Sequence, residues 1–81
     1  MNDERSRLHQ LRRRIDRLDA ALVYLLAERF AHTDEIGAIK RDLRLPPLDQ
    51  RREDAQRDRL NRVAHDSGLS AEVVERVFST V

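Results

Sequence analysis

Residues 8–40 read LHQLRRRIDRLDAALVYLLAERFAHTDEIGAIK, and the fold follows from their spacing. Apolar side chains recur three and four residues apart: Leu8, Leu11, Ile15, Leu18, Leu22, Leu25, then Ile36 and Ile39. That periodicity is the one an amphipathic α-helix requires. Arg29 and His32 occupy the two seam positions between Leu25 and Ile36, and Lys40 follows Ile39 directly. Burying an unpaired cation in an apolar stripe is costly. Either the protein supplies a carboxylate to these groups, or a bound anion does.

Outward from this stretch, Asp3 and Glu4 suit the positive end of a helix and Lys40 and Arg41 the negative end. The first helix is therefore predicted from about Asp3 to about Asp42. Pro46-Pro47 stops it. Asp49 is a good N-cap for a second helix over 50–67, Gly68 a left-handed C-cap, and Ser70 the cap of a third helix over 70–81. Leu69, Val73, Val74, Val77 and Phe78 lie on the apolar face of the third, which is predicted to run to Val81.

The chain has 81 residues, 38% of them charged and 4% aromatic, with two glycines and two prolines. This suits one all-α domain spanning 1–81. Sixteen basic residues against fifteen acidic give a net charge of +1, so bulk electrostatics supplies no argument for nucleic acid or an anionic membrane. Without cysteine there is neither a disulfide framework nor a thiolate site. Residues 1–10 are polar with no apolar core, so no signal peptide is expected, and a cytoplasmic setting is.

Length makes a further demand. A helix of some 40 residues is roughly 60 Å long. A compact domain of this size has a radius of gyration near ~12 Å. The first helix therefore cannot bury its stripe against two short helices of its own chain. An intertwined homodimer, with the long helices antiparallel, is the simplest remedy. A parallel zipper fits less well, because Arg29 and His32 stand where Leu or Ile is wanted.

Arg29 and Lys40 are eleven positions apart, about three turns or ~16 Å on one face. Arg12 precedes Arg29 by seventeen positions, about 25 Å, and could reach the same pocket only from a second, antiparallel chain. Asp49, Arg52 and Glu53 sit at the start of the second helix, where free N–H groups and the dipole favour anions. Arginine grips carboxylates through paired hydrogen bonds, so such a set implies a ligand with more than one carboxylate. No nucleophile and no metal set is legible; His9, His32 and His65 read as surface or packing residues. Arg13 and Arg14 read as a solvated face paired with Asp16 and Asp19, Arg51, Arg57 and Arg59 as solvent-facing or ion-paired, and Tyr24 as packing.

Four strings carry a resemblance: 11–19 (LRRRIDRLD), 25–29 and 36–40 (LLAER and IGAIK), and 45–53 (LPPLDQRRE). In this order and at these intervals they resemble the all-helical, AroQ-class chorismate mutases, over roughly residues 8–78. The resemblance implies an intertwined helical homodimer with two shared sites. It implies rearrangement of chorismate to prephenate, in aromatic amino-acid biosynthesis or related secondary metabolism, with no cofactor and no metal. It also implies roles. Arg12 reaches a substrate carboxylate across the dimer; Arg29 and Arg52 bind carboxylates and oxygens. Lys40 donates to the ether oxygen and a carboxylate. Asp49 and Glu53 lie at the hydroxyl, and Ile36 forms an apolar wall. Lys40, Arg29 and Glu53 would be catalytic. The family carries one or two further polar residues one to two turns beyond the position of Val81, one of them a glutamine or equivalent, so the natural chain is expected to continue. Isochorismate pyruvate lyase shares the fold, and Asp49 argues against it. A non-catalytic dimerisation or regulatory module, partnered with another shikimate-pathway enzyme, is the reading of a different class.

Overall fold

The computed structural model describes residues 2–81; Met1 lies outside them. The described residues form three helices in chain order: α1 Asn2–Asp42, α2 Gln50–Ser67 and α3 Ala71–Ser79. The fold is all-helical. The chain divides into two units, Met1–Leu45 and Pro46–Val81.

In the first unit α1 runs for 41 residues, about 60 Å, without a break. Its end is not made by the prolines. Leu45 N–H donates to the Lys40 carbonyl at 2.8 Å and Arg44 N–H to the Arg41 carbonyl at 3.2 Å. Arg44 has φ of 56°, in the left-handed region. These are the paired bonds of a Schellman motif, which absorbs carbonyls that the last turn leaves open. Glycine usually takes the left-handed position; here arginine does.

In the second unit the caps fix α2 and α3. Asp49, extended at φ −114° and ψ 102°, accepts the N–H of Arg52 through its carboxylate. Gly68, at φ 83°, ends α2, and its N–H donates to the His65 carbonyl. Ser70 Oγ accepts the Val73 N–H at 3.1 Å and starts α3. The two helices pack on each other, with Ala64 buried and Leu60 and Val74 half-buried. A small residue at that point lets the backbones approach closely.

α3 ends at Ser79, short of the expected Val81. Ser79 Oγ donates to the Arg76 carbonyl at 2.8 Å and Thr80 Oγ1 to the Val77 carbonyl at 2.8 Å. The Thr80 N–H donates to the same Val77 carbonyl at 3.3 Å, a tightened last turn. Hydroxyls thus serve the carbonyls that a longer helix would have used.

Among the described residues Ala64, 2% exposed, is the one buried apolar side chain. The α1 seam lies open, from 40% exposure at Leu11 to 63% at Leu18. Ordering the backbone costs about 1–2 kcal/mol per residue, which one buried alanine does not offset.

Candidate functional site

Burial along α1 is unusual in where it falls. Arg29, Gly37, Ala38 and Lys40 are half-buried, while the seam leucines and isoleucines around them are exposed. Two of the four are the cations singled out by the periodicity. A Cβ added at Gly37 would stand 3.6 Å from an Arg41 guanidinium nitrogen, so the Arg41 side chain lies back along this stretch. The carbonyl of Lys40 is itself held by the Schellman bond from Leu45. The backbone that carries Lys40 is therefore fixed on its C-terminal side.

Arg12 and Ile36, the other α1 residues of the expected site, are exposed, Ile36 by 50%. Arg29 lies on the seam and Lys40 on its flank, three turns apart on one face of the helix, and Arg12 is about 25 Å along the axis from Arg29. One copy of α1 does not bring Arg12 to the other two.

At the start of α2 one turn gathers the remaining three. The Asp49 carboxylate accepts the Arg52 N–H at 3.2 Å, and the Glu53 N–H donates to the Asp49 carbonyl at 3.0 Å. The Arg52 and Glu53 side chains are exposed. Arginine and two carboxylates thus share a helix N-terminus, an arrangement able to bind both an anionic group and a hydroxyl. One turn on, Asp54 Oδ1 takes Gln50 Nε2 at 2.9 Å and an Arg57 guanidinium nitrogen at 2.6 Å. Arg57 is thus ion-paired, as expected, and the i,i+3 and i,i+4 spacing of these residues signals Asp54 as the shared acceptor, which was not singled out.

Two expectations about α1 are not met. Arg13 and Arg14 do not pair with Asp16 or Asp19 among the described residues; the ion pairs on α1 and α2 include Glu28–His32 at 3.5 Å and Asp54–Arg57. Long, strongly hydrated side chains gain little from such exposed pairs. Gln10, Arg13, Arg14 and Arg17 instead line a shallow open depression. Tyr24 is 79% exposed rather than packed. No group of histidine, cysteine, aspartate or glutamate suited to a metal ion occurs among the described residues, and no helix there is long and apolar enough to cross a membrane.

The profile of the family described as chorismate mutase type II matches residues 11–81. The chain belongs to that family. The match begins at Leu11, beside Arg12, and takes in every residue of the expected site. No curated protein and no solved structure matches the chain.

Proposed function

We propose that this protein is a chorismate mutase, which converts chorismate to prephenate in a site shared between two antiparallel copies. The observation that carries the reading is the family match over residues 11–81, with Arg29 and Lys40 half-buried beside seam leucines and isoleucines that are exposed.

The reaction asks for what these residue types provide. One C–O bond breaks as one C–C bond forms within a single molecule, so no nucleophile, general acid or general base is obligatory. The protein must hold a compact, chair-like conformer, which is a positioning effect. It must also stabilise negative charge that develops on the ether oxygen. Arg12 of the partner subunit and Arg29 grip carboxylate, and Arg52 adds a further bidentate donor. Lys40 donates to the ether oxygen and a carboxylate. Glu53 and Asp49 accept from the substrate hydroxyl, and Ile36 walls the ring. Arg29, Lys40 and Glu53 are the groups proposed to act on the reacting framework.

A second copy is proposed because the α1 seam has no cover within its own helix. Eight aliphatic seam residues are between 40% and 63% exposed. Covering them would contribute on the order of 10 kcal/mol per chain. Cytoplasmic location and a place in aromatic amino-acid biosynthesis belong to this proposal, as does association with another enzyme of that pathway.

The test is conversion of chorismate by the purified chain, followed by loss of chorismate absorbance and acid conversion of prephenate to phenylpyruvate. Prephenate formed in equal amount to chorismate lost supports the reading. Pyruvate released from isochorismate, with chorismate untouched, would assign the chain to the lyase reaction. Neither reaction, with no thermal shift by a dicarboxylate transition-state analogue, would leave a non-catalytic module.

A further inference from the structure

The seam of α1 has heptad order, and its two flanks differ in charge. With Leu8, Ile15, Leu22, Arg29 and Ile36 at one core position and Leu11, Leu18, Leu25, His32 and Ile39 at the other, the position preceding the first set is occupied in turn by Arg7, Arg14, Ala21, Glu28 and Glu35. All five are exposed on α1. The order is basic, basic, neutral, acidic, acidic, and it is its own complement when reversed. In an antiparallel pair this flank faces the same flank of the other helix.

We infer that this charge order sets the orientation and register of a second copy, with Ala21 beside the two-fold axis. The inference rests on the dimeric reading above and adds what selects the alignment. Arg7 then meets the partner's Glu35, Arg14 meets the partner's Glu28, and symmetry repeats both contacts. The register has a consequence for the site. It brings the partner's Arg12 to within about one residue's rise of Arg29, because numbers that add to 42 stand at one level when Ala21 faces itself, and 12 and 29 add to 41.

The alternatives are less well matched. A parallel pair sets this flank against the opposite one, so Arg14 meets the partner's Asp19 and Glu35 meets the partner's Lys40. It also sets Arg7 against the partner's Arg12 and stacks Arg29 on the partner's Arg29 in the core, where like charge is costly.

An antiparallel pair can slip by one heptad in either direction. Slipped one way, Arg7 meets the partner's Glu28 and, on the opposite flank, Arg12 meets the partner's Asp19, but Arg14 faces the partner's Ala21, and Glu35, Ile36 and Ile39 pass beyond the start of the partner helix, so a heptad of seam is left uncovered. Slipped the other way, Arg14 meets the partner's Glu35 and Arg7 the partner's Asp42, but Glu28 faces the partner's Ala21. On the opposite flank that slip sets Arg5 against the partner's Lys40, twice by symmetry. The inferred register sets only Asp19 against its own copy there, and it alone brings the partner's Arg12 close to the level of Arg29. Within its own helix Glu28 also meets His32 at 3.5 Å, an exposed pair that a guanidinium can displace.

The experiment uses R14E and E28R on the full chain, with helicity of each checked by circular dichroism. Each variant alone faces like charge at two contacts and is expected to dimerise more weakly than the natural chain. Mixed in equal amounts, they regain both opposite-charge contacts. Native mass spectrometry is then expected to show about nine-tenths heterodimer against about half by chance, and less preference at high salt. R14E/E28R on one chain is expected to restore the homodimer. R7E with E35R is the independent pair if either first variant loses helicity. Preference shown by R14E with E35R instead would place the register one heptad on and overturn the inferred alignment. Heterodimer at the chance proportion, with homodimers as tight as the natural one, overturns the charge code and leaves the dimer standing. A natural chain that stays monomeric overturns both.

Discussion

The Asp49 carboxylate accepts the Arg52 backbone N–H at 3.2 Å. A residue expected at the substrate hydroxyl therefore also holds the first turn of α2, and with it the direction in which Arg52 and Glu53 leave the helix. Capping and binding are separable by experiment. Asp49→Ala removes the cap and is expected to cost about 1 kcal/mol of stability. Asp49→Ser keeps a capping oxygen and loses the charge. Thermal unfolding should show the serine variant near the natural protein and the alanine variant several degrees below it. If the carboxylate also meets substrate, KM rises in both.

Lys40 is carried on backbone that the Schellman bonds fix, and its side chain is half-buried. Lys40→Ala is expected to lower kcat by about 10² to 10³, the usual effect of losing a donor aimed at developing charge. Alanine is the better helix former, so the circular dichroism signal should be unchanged. Turnover near that of the natural protein would remove Lys40 from the reaction.

Arg44 sits at φ 56°, a conformation in which a Cβ is unfavourable. Arg44→Gly is expected to raise stability by about 1 kcal/mol, read as a higher urea midpoint at unchanged slope. Gly68→Ala, at φ 83°, is expected to move the midpoint the other way by a similar amount.

Leu22 lies mid-seam and is 56% exposed. On a helix surface left to water, Leu22→Glu would be nearly neutral. If a second copy covers it, the substitution places two carboxylates near the dyad and should shift sedimentation toward the monomer at concentrations where the natural chain is dimeric.

Much of this was legible before any coordinates. The amphipathic period gave α1. Asp49, Gly68 and Ser70 marked the ends of α2 and the start of α3 because each residue type has one strong local use. The end of α1 at Asp42 was legible, but the device that makes it was not. Arginine in the left-handed position carries no residue-type signal, and Pro46-Pro47 offered a sufficient stop on its own. The end of α3 was missed because serine and threonine read as tolerable helix residues until their hydroxyls are seen bonded to Arg76 and Val77. For the site, periodicity singled out Arg29 and Lys40, and helix-end chemistry singled out Asp49, Arg52 and Glu53. The role of each came from the family resemblance, because a cation on a seam looks the same whether its counter-ion is a neighbour or a substrate.

The central claim is that one site draws Arg12 from one chain and Arg29 from the other, and subunit exchange between Arg12→Ala and Arg29→Ala tests it most directly. Each variant alone should be nearly inactive. Mixed and allowed to exchange, half the dimers are mixed and each carries one intact site, so about a quarter of the natural activity should return. A mixture no more active than its components, after exchange has been verified by mass, would contradict the account.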